Sequence, residues 1–163
     1  MAAAALIAGG TEADVEAQTR MMVELRGALN AAVETVNQIE MMRTQIEGLG
    51  RVTIDPAIRA SAEEVNQQLM ATEMTLIDLR LTGGQDGVRY ASKLLGKINY
   101  LAGGLSSADF KPTDQQLEVQ KLIQAQVKEV RTQVEGLRSR IAAGFNDQLR
   151  SKNLPIIVVP PPR

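Results

Sequence analysis

The chain has 163 residues, a net charge of −1 and an apolar share of 44%, with two Phe, two Tyr and no Trp, Cys or His. That length suits one domain with a core of Leu, Ile, Val, Met and Ala, which favours interlocking helices over a β-sandwich or propeller. The missing Cys and His remove disulfides, thiol nucleophiles, His-based metal sites and His general bases, and a near-neutral chain has no overall field to recruit nucleic acid or acidic lipid.

Met1 to Gly10 is Ala-rich, lacks a basic leader and is too short for a signal peptide, so residues 1–10 read as a disordered tail or the scar of a truncation. A first helix starts with Thr11 as N-cap and Glu12 and Asp14 in its first turn, where the helix dipole favours acids. Its apolar seam is Val15, Met22, Leu25, Leu29, Ala32, Val36, Ile39 and Ile46, in three-four spacing, with Val33 and Met42 widening the stripe. Gln18 and Arg43 fall on seam positions near the ends, where water is expected to reach them. Gly48 and Gly50 read as the stop.

Asp55-Pro56 is a capping carboxylate followed by Pro at the first helical position, and Ser61 with Glu64 offers a second start one turn later. The second helix carries Ile58, Ala62, Val65, Leu69, Leu76 and Leu79, and the glycines of Thr82 to Gly87 end it. That glycine-rich turn lacks the lysine and hydroxyl ending of a phosphate loop. A short third helix buries Val88, Ala91, Leu94, Leu95, Ile98, Leu101 and Leu105, with Gly103-Gly104 expected to end it early. Thr113 and Gln116 form a capping box for the last helix, whose seam is Ile123, Val127, Val130, Val134, Leu137 and Ile141.

After Leu149 the chain ends in Leu154-Pro-Ile-Ile-Val-Val-Pro-Pro-Pro-Arg163, an extended Pro-rich tail whose residues Ile156 to Val159 are expected to lie against the bundle or a neighbouring domain. The fold expected is therefore all-α: residues 11–153 form an elongated antiparallel bundle of four helices, or three long rods with the middle one broken near Gly83-Gly84, between the tails 1–10 and 154–163. In the broken-rod arrangement the first and last helices run parallel; in the other they run antiparallel.

No catalytic, cofactor-binding or metal site emerges. Glu63 and Glu64 point about 100° apart on a solvated helix face, which is the wrong geometry for a carboxylate pair. Tyr90 and Tyr100 on the third helix suit bundle-edge packing. The Met pairs suit core filling, and Arg131, Arg138 and Arg140 are interrupted by acids. The candidate interaction residues are Phe110 and the tail residues Ile156, Ile157, Val158 and Val159.

One set of motifs supplies a resemblance. Lys97-Ile98, Tyr100, Ser107-Ala108-Asp109 and Pro112-Thr113 are followed by Phe145-Asn146, Leu149-Arg150 and Leu154-Pro155. The first helix contributes Leu25-Arg26, Ala32-Val33, Val36-Asn37 and Ile39. These resemble the helical C-terminal region of bacterial sialidase-like, or sortilin-like, Asp-box propeller proteins often called glycosyl hydrolases. The likeness spans nearly the whole chain, yet it carries no catalytic residue. The Ser-x-Asp-x-Gly-x-Thr-Trp propeller repeat is absent, and the middle connector is shorter and richer in glycine than in that family.

The resemblance implies an accessory helical module in an extracytoplasmic setting. The expected function is a non-enzymatic structural or interaction module whose partner is a neighbouring protein domain or a second copy. A self-assembling coiled-coil scaffold is one alternative. A fragment of a glycosyl hydrolase whose active site lies outside this chain is another. No nucleic acid, small molecule, cofactor or membrane span is expected.

Overall fold

A computed structural model describes residues 10–83, 86–107 and 110–161. Gly84, Ala108, Asp109 and all of the expected N-terminal tail except Gly10 lie outside them. Five α-helices are present among the described residues, with no strand: α1 (Glu12–Val52), α2 (Pro56–Leu76), α3 (Leu94–Leu105), α4 (Asp114–Arg140) and α5 (Asn146–Ser151). A π turn at Ile141–Phe145 joins α4 to α5 in one continuous rod.

Three of the starts are where the sequence puts them, whereas α3 begins only at Leu94 and leaves the expected Val88 and Ala91 outside it and exposed. Thr11 and Asp14 cap each other reciprocally, as do Thr113 and Gln116. The Asp55 carboxylate accepts from the N–H groups of Ala57 and Ile58 ahead of Pro56, so the alternative start at Ser61 is unused. Each cap satisfies amides that have no partner within the helix.

The ends differ from expectation. Helix α1 runs through Gly48 and Gly50 to Val52 and stops where Thr53 turns extended ahead of Asp55-Pro56. Helix α3 likewise runs through Gly103 and Gly104, and a Cβ at either would meet nothing within 4 Å. Helix α2 stops at Leu76, well before the glycines. The Asp78 carboxylate accepts from the Arg80 backbone N–H at 3.1 Å and from its guanidinium at 2.6 and 2.8 Å. That local turn competes with helical hydrogen bonding and breaks the rod. Leu79, just past the break, and Val88, in a 3-10 turn at Asp86–Val88, lie outside the core, at 36% and 92% exposure. Tyr90 falls outside α3 and lies under the Arg80 guanidinium, 4.1 Å from ring centroid to cation.

Cross-helix bonds give the arrangement. Glu24 of α1 accepts from Gln120 and Gln124 near the start of α4, and Gln45 near the end of α1 meets Val158 beyond α5. The first and last rods therefore run parallel. Arg43 of α1 pairs with Glu73 late in α2, and Gln18 early in α1 donates to the Leu105 carbonyl at the end of α3. So α2 and α3 follow one another down α1 as a single broken middle rod, antiparallel to both neighbours. At about 1.5 Å per residue, α1 is about 60 Å long and spans the whole rod.

The six seam residues of the last rod, Ile123 to Ile141, are all buried. In α1 the fully buried seam is Met21, Leu25, Ala28, Ala32, Val36, Ile39, Met42 and Ile46; the expected Met22 and Leu29 pack half-buried against its edge, and Val33 faces out. Gln18 and Arg43 are not left to water. Gln18 is buried on Leu105, and Arg43 neutralises the fully buried Glu73.

Four carboxylates are held below their ordinary range. Backbone N–H donors act first on Asp14, Asp55 and Asp86, and the Arg80 guanidinium draws Asp78 down to about 2. A carboxylate with a lowered folded value adds stability above its unfolded value of about 3.9, and loses it as pH falls through the folded one. With no His or Cys to titrate near neutrality, the melting temperature is expected to be flat from about pH 5 to 8 and to fall between about pH 4 and 2. Thermal melts across that range check this.

Candidate interaction surfaces

The five residues singled out from sequence do not form one surface. Phe110, 57% exposed, precedes the start of α4, whereas the tail lies at the far end of the same rod, some 50 Å away. Within the tail, exposure alternates. Ile156 and Val158 face out at 45% and 63%, Ile157 is buried at 3%, and Val159 is half-buried. The Ile157 side chain is thus spent on the bundle, which removes it from the residues open to a partner.

The tail is seated by side chains that carry no signal in the sequence pattern. After α5, Asn153 adopts φ 54°, a left-handed conformation that Asn tolerates. The Leu154 N–H then bonds the Leu149 carbonyl at 2.9 Å, and the Asn153 N–H bonds that of Arg150 at 3.1 Å. This turn folds the chain back along α4.

The Asn146 amide then pairs with both backbone groups of Ile157, donating at 2.9 Å and accepting at 2.8 Å. From the opposite side the Gln45 amide does the same to Val158, at 3.1 and 2.8 Å. Arg138, itself buried, donates to the Pro160 carbonyl. Two side-chain amides therefore take the place of neighbouring strands, and the extended segment is satisfied on both edges.

The π turn puts Asn146 in reach. Heptad spacing from Ile141 points to position 144, which is Gly; the buried residues are instead Phe145 and Leu149. One extra residue is accommodated at Ile141–Phe145, so Asn146 lies on the stripe of Arg131 and Arg138 although it is eight residues past Arg138. The signal in the sequence is the four-four spacing 141, 145, 149, a stutter in a three-four pattern.

The parallel pair α1 and α4 leaves a groove of about 630 Å³ with a floor of Ala28, Ala31, Val127 and Val134. Its rim is polar, with Gln38 and Thr35 on one side and Lys128 and Arg138 on the other. A second groove of about 650 Å³ runs between α3 and α4 past Tyr100, Val119 and Leu122. These are exposed by 87%, 42% and 64%, an apolar strip facing water.

The residues weighed for chemistry hold other positions. Glu63 and Glu64 are exposed and accept from Gln67 and Gln68 one turn on. Met21 and Met42 fill the core, while Met41 is exposed. Among the described residues no group of three His, Cys, Asp or Glu side chains is placed to hold a metal ion, and no helix is long and apolar enough to cross a membrane. Set against family models, curated proteins and solved structures, the chain matches none of them.

Proposed function

We propose that this chain is a non-enzymatic helical interaction module that docks on a neighbouring protein domain through its α3–α4 face. The observation that carries the reading is the strip Tyr100, Val119 and Leu122 along one open groove. A large aromatic exposed beside aliphatic neighbours costs solvation that a partner surface recovers, and Tyr suits such an anchor because its hydroxyl keeps a polar contact. Phe110, exposed on the connector into α4, adds an aromatic near the same end of the rod. The resemblance to the accessory helical region of exported sialidase-like propeller proteins supports the same role and an extracytoplasmic setting.

The test is a photo-crosslinking amino acid at position 100 in the organism that encodes the chain. One protein adduct is expected, lost when Leu122→Glu is added while the melting temperature stays within a few degrees. An adduct only with a second copy, together with a concentration-dependent mass by light scattering, would replace docking with self-assembly. Glycosidase turnover by the purified chain would overturn the reading altogether.

A further inference from the structure

The methionines of this chain differ in their surroundings. Met21 and Met42 are sealed in the core, Met41 is 49% exposed, and Met22, Met70 and Met74 are half-buried. Among the described residues, Met74 is the one whose sulfur accepts a hydrogen bond: the Leu79 backbone N–H donates to its Sδ at 3.2 Å.

That bond stands at the break in the middle rod. Helix α2 closes with the Ile77 N–H on the Glu73 carbonyl at 3.0 Å. Past it, the Arg80 N–H goes to the Asp78 carboxylate and the Leu81 N–H to the Asp78 carbonyl, each at 3.1 Å. The Leu79 N–H lies between them and has the Met74 sulfur as its protein acceptor. A thioether accepts hydrogen bonds poorly, so this is the weakest acceptor in the turn.

We propose that Met74 is a reversible oxidation site, and that its sulfoxide oxygen takes over the Leu79 N–H and tightens the turn after α2. The oxidant is a peroxide. A sulfur lone pair attacks one peroxide oxygen, the O–O bond breaks, and the transferred oxygen passes its proton to the departing hydroxide, which leaves as water. The sulfur loses two electrons and the peroxide gains them. The contact with Leu79 is at the surface, so the oxidant reaches it without unfolding the bundle. A sulfoxide oxygen is a stronger acceptor than a thioether, and the unbranched side chain has the rotatable bonds to swing that oxygen onto the N–H. The same oxygen on Met21 or Met42 would be buried without a donor and would disrupt the core. On Met41 it would face water and change no backbone bond. This inference is independent of the α3–α4 face.

The test exposes the full chain to hydrogen peroxide, reads each methionine by fragment-ion mass spectrometry, and follows exchange of the Leu79 amide with solvent by NMR. Met41 and Met74 should oxidise while Met21 and Met42 stay reduced. Leu79 exchange should slow by roughly 3- to 10-fold, the gain of one better hydrogen bond, with the melting temperature within a few degrees of the parent. Methionine sulfoxide reductases for both epimers should restore the parent rate. Met74→Leu, a volume-conserving change, should speed Leu79 exchange in the untreated protein and make it insensitive to peroxide. Oxidation of Met74 no faster than that of Met21 would overturn the proposal. So would Leu79 exchange that is unchanged or faster after oxidation of Met74, or that slows equally in Met74→Leu.

Discussion

Replacing Arg43 by Ala is expected to lower the melting temperature by roughly 10 °C, a loss on the order of 3–5 kcal/mol in a chain of this size. Arg43 lies 2.5 Å from the Glu73 carboxylate, whose side chain is 0% exposed, and it also donates to Asn66 at 3.1 Å. Arg43 bonds Glu73 Oε2, and Oε1 has no hydrogen-bond partner among the described residues, so the guanidinium is what makes this buried carboxylate tolerable. Removing it leaves an uncompensated charge between α1 and α2. The companion variant combines Arg43→Met with Glu73→Leu and should recover most of the loss, because an apolar pair of similar size needs no counter-charge. The measurement is a thermal melt of the three proteins at one pH. A single variant that melts within a degree or two of the parent would mean that water reaches Glu73.

Two glycine deletions in the last rod are expected to differ sharply. Gly136 sits on the exposed face of α4, and removing it rotates every later residue of the rod by about 100°. Even if the π turn takes up the slack and restores Phe145 and Leu149, Leu137 and Ile141 stay out of register. Exposing two such side chains costs about 3–6 kcal/mol, so the melting temperature should fall by about 10 °C or more. Gly144 lies inside the π turn, where one residue is already in excess. Its deletion lets the rod close into continuous α-helix with Phe145 and Leu149 still buried, and it removes a helical glycine that costs about 1 kcal/mol. The deletion of Gly144 should leave the melting temperature within a few degrees of the parent or raise it. Equal effects from the two deletions would rule out the π turn as the place where register is adjusted.

These variants mark where local signals stop. The starts at Thr11, Asp55-Pro56 and Thr113 are legible because a cap is made by residues two or three apart, and the structure has all three. The seam of the last rod is legible for the same reason, since periodicity is a property of neighbours. The end of α2 is easily misplaced because glycine is a conspicuous breaker, whereas Asp78 closing on its own backbone is a subtle one. The grooves are illegible: the strip of Tyr100 and Leu122 exists only once α3 lies along α4. The amide seat joins Gln45 to Val158, 113 residues apart, and no window of sequence relates them.

By itself, then, the amino-acid order determined that this chain is helical, where three of its helices begin, and which stripe of the last rod is buried. Each of these depends on contacts within one or two turns. Tertiary structure alone decided that the first and last rods run parallel. It also decided that Gln18, Arg43, Gln45 and Asn146 serve as long-range partners rather than as polar residues left to water. The physical reason is that a polar side chain has no assigned acceptor until the backbone it faces has been brought alongside, and that placement depends on every helix at once.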